Sequence, residues 1–333
     1  MAVAGTASAP VLTMPGQSRG ADLADCPLYP PVVEPVLAAV RHLIRRAQVP
    51  PYDVARRRGE LKNVIVTVGG TDPDSDPGGT APGIEPQLML QLVLRTDGSL
   101  PRICEHLPRL LAAHPRVTSV WANLHPQHAA LLTGAEDLHL AGAERLSMRV
   151  GDAVLHAGPN SFVQTNTQVA GALYRQVAEW AADARPRRVW DLYCGLGGFA
   201  LHIARTCPDA QITGVEVSAD AIAGAQESAR EHGDRLRFLA DDATAWAART
   251  AAIEGTPDLV VVNPPRRGLG DDLCEWIEQS GVADVVYSSC NPTSLAADLA
   301  RIPSLRITAA RYIGMFPHTA HAEVAVRLRR ITR

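Results

Sequence analysis

The run Asp191-Leu192-Tyr193-Cys194-Gly195-Leu196-Gly197-Gly198 decides how this chain reads. It closes a short apolar stretch, residues 188–192, and opens a helical pattern. Glycines in such a turn let the backbone bend tightly and approach a ligand at a helix N-terminus. A second apolar stretch, residues 211–217, carries Glu216 at its end, 19 residues beyond Gly197. An acid in that place accepts hydrogen bonds from ribose hydroxyls. Its alternative reading is an ordinary exposed strand-end acid. Asp242, past a third stretch at residues 236–239, is placed for the same edge of an adenosine.

Outward from the turn the rhythm persists. A helix over residues 167–182 precedes it. After it come a helix to residue 230, a helix at 244–250 and a strand at 259–262 ending in NPPRRG. A strand at 284–288 ends in SCNP and leads into a helix to residue 301. Strands near 305–311 and 324–328 close the chain. Short apolar strands alternating with helices predict βαβ units and a buried parallel sheet, with ligands outside the carboxyl ends of the strands. The turn reads G-x-G-G, whereas a dinucleotide fold wants G-x-G-x-x-G. Together with an antiparallel last strand, this favours a class I S-adenosylmethionine-dependent methyltransferase fold, Rossmann-like, over a nicotinamide-binding one.

The first half reads as a small α+β unit. Strands are expected at 62–68, 88–94, 117–123 and 146–154, with a helix at 100–113. GGTDPDSDPGGTAPGIEP, between the first two strands, reads as a flexible hairpin loop. The expected organisation is a flexible tail at 1–24, a central α+β domain at 25–160, and a domain of the S-adenosylmethionine-binding type at 161–333.

Composition bounds the function. The 333 residues are 46% hydrophobic and 20% charged, enough for a sizeable core and too apolar for overall disorder. A net charge of -3 excludes a histone-like protein but not a local nucleic-acid surface. Residues 41–62 hold Arg41, Arg45, Arg46, Arg56, Arg57, Arg58 and Lys62 against Asp53 and Glu60, a local +5. The arginine excess reads as GC-rich codon usage or as a preference for phosphate-gripping groups. No apolar run is long enough for a membrane helix and no signal segment opens the chain, so a cytoplasmic location is expected. A monomer is expected too. The six cysteines form no CxxC pair, which argues against a disulfide framework and a zinc ribbon.

One cysteine stands apart. Cys290, in YSSCNP, sits just past a buried strand, at the catalytic edge of the sheet. A thiolate suits conjugate addition to an electron-poor carbon. Glu323, in FPHTAHAEV, removes a carbon-bound proton if burial holds its pKa near neutrality. His318-x-x-His321-x-Glu323 also reads as a metal site, but lacks the helical H-E-x-x-H geometry; the histidines fit loop capping or substrate contact better. In NPPRRG, Asn263 offers a donor and an acceptor. Arg266 and Arg267 fit a phosphate or a nucleobase carbonyl, or form a solvated basic loop.

DLYCGLGGF, NPPRRG, SSCNP and FPHTAHAEV, in this order and preceded by SFVQTN at 161–166, resemble the RNA uracil-5 methyltransferase family. DCPLYP at 25–30 and RRRGELK at 56–62 are most similar to the branch acting on uracil 747 of 23S rRNA; the transfer-RNA branch is the nearest relative to exclude. The resemblance implies that Cys290 attacks carbon 6 of the uracil, that carbon 5 takes the methyl group of S-adenosylmethionine, and that Glu323 removes the carbon-5 proton. It implies that Gln164, Tyr193, Glu216 and Asn263 bind the cofactor, beside Gly195, Gly197 and Asp242 of the glycine turn and strand ends, and that 23S rRNA is the partner. Arg266, Arg267 and His318 are the candidate substrate contacts, and Phe162, Tyr193 and Phe316 the candidates for stacking on the target base.

Two features depart from the family. Asn263 stands where many members have Asp, although the ribosomal branch also carries Asn. The family commonly binds a [4Fe-4S] cluster through four cysteines, of which only Cys26 is matched. One thiolate cannot hold such a cluster. The chain is therefore cluster-free, or its natural start lies upstream and supplies three more ligands. Competing readings are an amino-group methyltransferase, which wants an aromatic residue where Arg266 stands, and a non-catalytic rRNA-binding assembly factor.

Overall fold

The computed structural model describes residues 1–14, 22–23, 26–70, 85–164, 166–315, 319 and 322–331. They form two compact units, the first ending at Ser147 and the second starting at Met148.

The first unit is a six-stranded sheet with two helices. Its strands are β1 (Ala2–Gly5), β2 (Pro10–Thr13), β3 (Leu61–Gly69), β4 (Gln87–Leu94), β5 (Val117–Leu124) and β6 (Glu136–Gly142), in the order β2-β1-β3-β4-β5-β6. Helices α1 (Val33–Arg46) and α2 (Leu100–Ala113) bury Leu37, Val40, Ile103 and Leu107 in the core. β4 is buried along almost its whole length because it pairs on both sides, antiparallel to β3 and parallel to β5.

Two expectations are corrected here. The stretch expected as a flexible tail contains the β1–β2 hairpin, which buries Val3 and Leu12 and joins the sheet through Ala2 opposite Asn63. Four-residue strands are too short for alternation to announce them. The unit boundary falls at Ser147 and Met148, not near residue 160. Most of the expected hairpin loop, residues 71–84, lies outside the described residues. The flanking β3 and β4 do pair antiparallel, from Leu61 opposite Leu94 to Gly69 opposite Gln87.

A small hairpin, β7 (Leu146–Val150) and β8 (Ala153–Ala157), begins two residues before the boundary and continues into the second unit. A single strand is expected at 146–154. The chain instead reverses at Gly151, whose φ of +58° a glycine adopts without strain. α3 (Thr167–Ala184) follows, capped by the Asn166 side chain, which accepts from the Val169 N–H.

The main sheet then builds from β9 (Arg188–Leu192), β10 (Gln211–Glu216), β11 (Leu236–Ala240), β12 (Leu259–Val262), β13 (Asp284–Ser289), β14 (Leu305–Ile313) and β15 (Glu323–Arg330). Between them run α4 (Gly198–Thr206), α5 (Ala219–Ser228), α6 (Ala243–Glu254), α7 (Asp271–Ser280) and α8 (Pro292–Leu299). The order is β11-β10-β9-β12-β13-β15-β14. β9 to β13 run parallel, and β15 is antiparallel to both of its neighbours. This is the expected mostly parallel sheet with an antiparallel last strand. β12 (LVVV) and β13 (DVVYSS) are buried throughout, as strands covered on both faces must be. One face packs Phe199, Leu201 and Ile203; the other packs Trp190, Trp246 and Leu273. Strand order reverses between β9 and β12, and the crevice at their carboxyl ends is where such sheets bind ligands.

Candidate active site

The glycine turn leaves β9 at that crevice. Asp191 is fully buried; its Oδ2 accepts the Ala200 N–H at 3.0 Å and ties the turn to the first turn of α4. Burial pushes its carboxyl up to about 7. Tyr193 holds a left-handed backbone (φ +62°), strained for a non-glycine residue. Gly195 (φ +53°) faces open space: among the described residues, its chain neighbours aside, no atom lies within 4 Å of where a Cβ would stand. Its N–H donates to Glu216 Oε2 at 3.4 Å, and the Ser218 N–H donates to Glu216 Oε1 at 3.0 Å. Glu216 is thereby held at the end of β10.

A cavity of about 620 Å³ opens in front of this turn, within the range of small-molecule sites. Gln164, Tyr193, Gly195, Glu216 and Asn263 line it, and so do Arg266, Arg267, Cys290 and Glu323. Residues far apart in the chain, from Gln164 to Glu323, thus share one cavity at the strand ends.

The candidate catalytic pair comes from the end of β13 and the start of β15. Cys290 directly follows β13 and is half-buried. Ser289 Oγ accepts the Asn291 N–H at 3.1 Å, and Asn291 caps α8 through the Thr293 N–H at 3.1 Å, so the turn carrying the thiol is fixed on both sides. Glu323, the first residue of β15, is only 1% exposed. Its Oε1 accepts from Ser288 Oγ at 2.6 Å and from Asn263 Nδ2 at 3.5 Å. Burial raises its pKa, and these two bonds pull the other way. The other cysteine at the turn, Cys194, is buried, and burial pushes its thiol well up, so it is a packing residue.

The NPPRRG loop is held from behind. Asn291 Nδ2 donates to the Arg266 carbonyl at 2.9 Å. Buried Asp298 accepts the Leu269 N–H at 2.8 Å and the Tyr287 hydroxyl at 2.7 Å. Arg266 and Arg267 stay exposed at the cavity.

Several expected residues are placed differently. Gly197 does not line the cavity. It is the N-cap of α4 at φ +80°, and a Cβ there would stand 2.4 Å from the Phe238 ring. Asp242 does not line it either. Its Oδ1 caps α6 by accepting the Ala245 N–H at 2.8 Å, while its charge helps to raise the Tyr193 phenol, which burial raises first. His318, His321 and Phe316 lie outside the described residues. Phe162 is 75% exposed and lines the cavity. Ser288 carries no expected role, although it stands inside the quoted YSSCNP, and nothing in the sequence separates it from the neighbouring Ser289.

The cavity fits S-adenosylmethionine. Gln164 Oε1 is buried without a hydrogen-bond partner among the described residues and offers an acceptor to a ligand amine or hydroxyl. Glu216 offers carboxylate oxygens, and the space before Gly195 is free for close approach. A [4Fe-4S] cluster does not fit. Among the described residues no three His, Cys, Asp or Glu side chains gather as a metal site, and Cys26 lacks companion thiolates. Also among the described residues, no helix is long and apolar enough to cross a membrane.

The basic run of the first unit is partly engaged within the fold. Arg41 pairs with Asp22 at 3.1 Å and Arg56 with Asp53 at 2.7 Å. Lys62 Nζ donates to the Gln127 carbonyl at 2.6 Å and lies over the Tyr52 ring. Arg45, Arg57 and Arg58 are exposed.

The sheet order, the glycine turn and the strand-end acid define a class I S-adenosylmethionine-dependent methyltransferase. Residues 155–276 match the family model described as "Methyltransferase small domain", and residues 254–331 match "tRNA (Uracil-5-)-methyltransferase". The chain is 42% identical over 333 residues to the 23S rRNA (uracil(747)-C(5))-methyltransferase RlmC of Halothiobacillus neapolitanus, covering 99% of this chain and 84% of that protein. It is 42% identical over 332 residues to the protein of the same name from Salmonella typhimurium, covering 99% and 84%. The crystal structure of Pyrococcus abyssi tRNA (uracil-54, C5)-methyltransferase in complex with S-adenosyl-L-homocysteine superposes with a TM-score of 0.78 at 22% identity, covering 98% of this chain and 74% of that one, which supports the fold. The chain belongs to the RNA uracil-5 methyltransferase family, alongside relatives that act on 23S rRNA by name.

Proposed function

We propose that this enzyme methylates carbon 5 of a uridine in 23S rRNA through a covalent adduct with Cys290. The observation that carries the reading is the shared cavity: a nucleophilic cysteine, a buried carboxylate and the cofactor-turn residues face one space.

S-adenosylmethionine, when bound by Gln164, Tyr193, Glu216 and Asn263 beside Gly195, supplies an electrophilic methyl group. Cys290 Sγ adds to carbon 6 of the uracil and moves the electron pair of the ring double bond onto carbon 5 and the carbonyl system. Carbon 5, a poor nucleophile before that addition, would then take the methyl group as its bond to the sulfonium sulfur breaks, leaving S-adenosylhomocysteine. Glu323 removes the carbon-5 proton, the carbon 5–carbon 6 double bond re-forms, and the carbon–sulfur bond breaks to return the Cys290 thiolate. Arg266 and Arg267 neutralise phosphate charge or read the base carbonyl at the mouth of the cavity. The target uridine must leave its stack to reach Cys290, and exposed Phe162 is a surface on which it can rest. Arg45, Arg57 and Arg58 add phosphate contacts. An rRNA substrate places the enzyme in the cytoplasm.

The substrate is tested with methyl-labelled cofactor and in vitro transcripts. The expected result is labelled 5-methyluridine in a 23S rRNA domain containing the relevant hairpin, and none in tRNA. Labelling of tRNA alone refutes the rRNA assignment and favours the transfer-RNA reading.

A further inference from the structure

We infer that Ser288 is a positioning residue for the general base: its hydroxyl holds Glu323 Oε1, so that Oε2 takes the carbon-5 proton. The inference rests on the proposed role of Glu323 and extends it to a residue with no assigned part.

Ser288 lies on β13, two residues before Cys290, and is fully buried. Its position in the strand needs no hydroxyl. β13 is buried along its whole length, and a buried hydroxyl there is costly unless bonded. Its bond to Glu323 Oε1, at 2.6 Å, is in the short range of hydroxyl–carboxylate contacts. Asn263 Nδ2 approaches the same oxygen at 3.5 Å from the end of β12. Both contacts fall on Oε1, and Glu323 lines the cavity. Oε1 is thus occupied by donors from two neighbouring strand ends, and among the described residues no donor reaches Oε2, which leaves that oxygen to accept.

The arrangement tunes as well as orients. Ser288 donates to an ionised carboxylate, which favours the basic form against burial. Around it, Tyr174 of α3 feels the Glu323 charge: its phenol is raised first by burial, then by Asp191 and Glu323. Ile313, opposite Glu323 on β14, brings no charge. Cys290, Glu216, Arg266 and Arg267 line the same cavity. No cation bonds to Glu323 among the described residues, so burial raises its titration and the donors of Ser288 and Asn263 are what oppose that rise.

The test measures kcat against pH for the wild type, Ser288→Ala, Ser288→Thr and Asn263→Asp. Ser288→Ala loses a donor, so the acid limb of kcat moves to higher pH by about one unit. Ser288→Thr keeps the hydroxyl and restores the wild-type limb. Asn263→Asp places a second carboxylate by Glu323 and moves the limb the same way, giving the same readout if Ser288→Ala does not fold. A Ser288→Ala enzyme with lowered kcat but an unmoved limb overturns the inference. Adduct formation with 5-fluorouridine RNA separates the two failures, because it needs Cys290 and not proton removal. If the wild type forms no adduct, the covalent reading fails first. If it does and the limb stays put, only the role of Ser288 falls.

Discussion

Gly195 and Gly197 stand two residues apart in one turn, and alanine at each should fail for a different reason. At Gly197 the backbone is at φ +80° and a Cβ would lie 2.4 Å from Phe238 Cζ and 2.7 Å from Cε1. The left-handed backbone costs about 1–2 kcal/mol for alanine. Moving a buried ring off that contact adds about 1–3 kcal/mol of overpacking strain. Gly197→Ala should therefore lose about 2–5 kcal/mol of stability, the sum of the two effects. At Gly195 the backbone cost is similar, but nothing lies within 4 Å of the new methyl. Gly195→Ala should lose only about 1–2 kcal/mol of stability. Its methyl instead occupies space the cofactor needs, so affinity should fall about tenfold or more, some 1.4 kcal/mol. Urea unfolding followed by tryptophan fluorescence reads the first effect, since Trp180, Trp190, Trp246 and Trp276 all lie in the second unit. Titration calorimetry with S-adenosylhomocysteine reads the second. Wild-type cofactor affinity in Gly195→Ala would refute the cradle, and full stability in Gly197→Ala would refute the packing argument.

The remaining predictions concern single groups. Gln164→Ala removes the buried unpaired acceptor and should weaken cofactor binding about tenfold, worth one hydrogen bond to a charged or polar donor, with stability unchanged or improved. Arg266→Ala and Arg267→Ala should each weaken RNA binding and lower the salt slope by about one, leaving cofactor affinity intact in calorimetry. Buried His202, held between the Gly198 carbonyl and the Asp152 N–H, is pulled down to about 4, first by burial. It contributes stability that is full above its unfolded value of 6.5 and is lost as pH falls towards 4, about 3 kcal/mol across that window. Asp191, raised to about 7, acts oppositely: its contribution is full below 3.8 and is lost as pH rises to 7. Asp191→Asn should therefore make unfolding free energy climb more steeply between pH 4 and 6.5 than in the wild type, measured by denaturant titration; an unchanged slope refutes the buried-proton assignment.

The parallel core was legible because strands buried on both faces are continuous apolar runs, as at Leu259–Val262. The β1 and β2 strands were not, since four residues carry no period, and β6 was missed because EDLHLAG is half-exposed along its length. Residues 146–154 read as one strand because a single glycine, Gly151, marks the reversal. Within the site, Cys290 and Glu323 stood out from their motifs as candidates, and both line one cavity. The sequence could not separate Gly195 from Gly197, because the distinction lies in what each faces: open space or the Phe238 ring. Asp242 read as a ligand because a strand-end acid and a helix cap look alike in one dimension. Ser288 was passed over because its partner lies 35 residues away on β15.

The central claim is that Cys290 attacks the uracil while Glu323 removes the proton. Fluorine in place of the carbon-5 hydrogen blocks that removal, so 5-fluorouridine RNA with S-adenosylmethionine should hold the enzyme in a methylated adduct. The measurement is mass spectrometry of the denatured protein–RNA complex after nuclease digestion. The account predicts a methylated fluoronucleotide on the tryptic peptide containing Cys290, absent in Cys290→Ala. An adduct that persists in Cys290→Ala, or methylation of ordinary RNA by that variant, contradicts it.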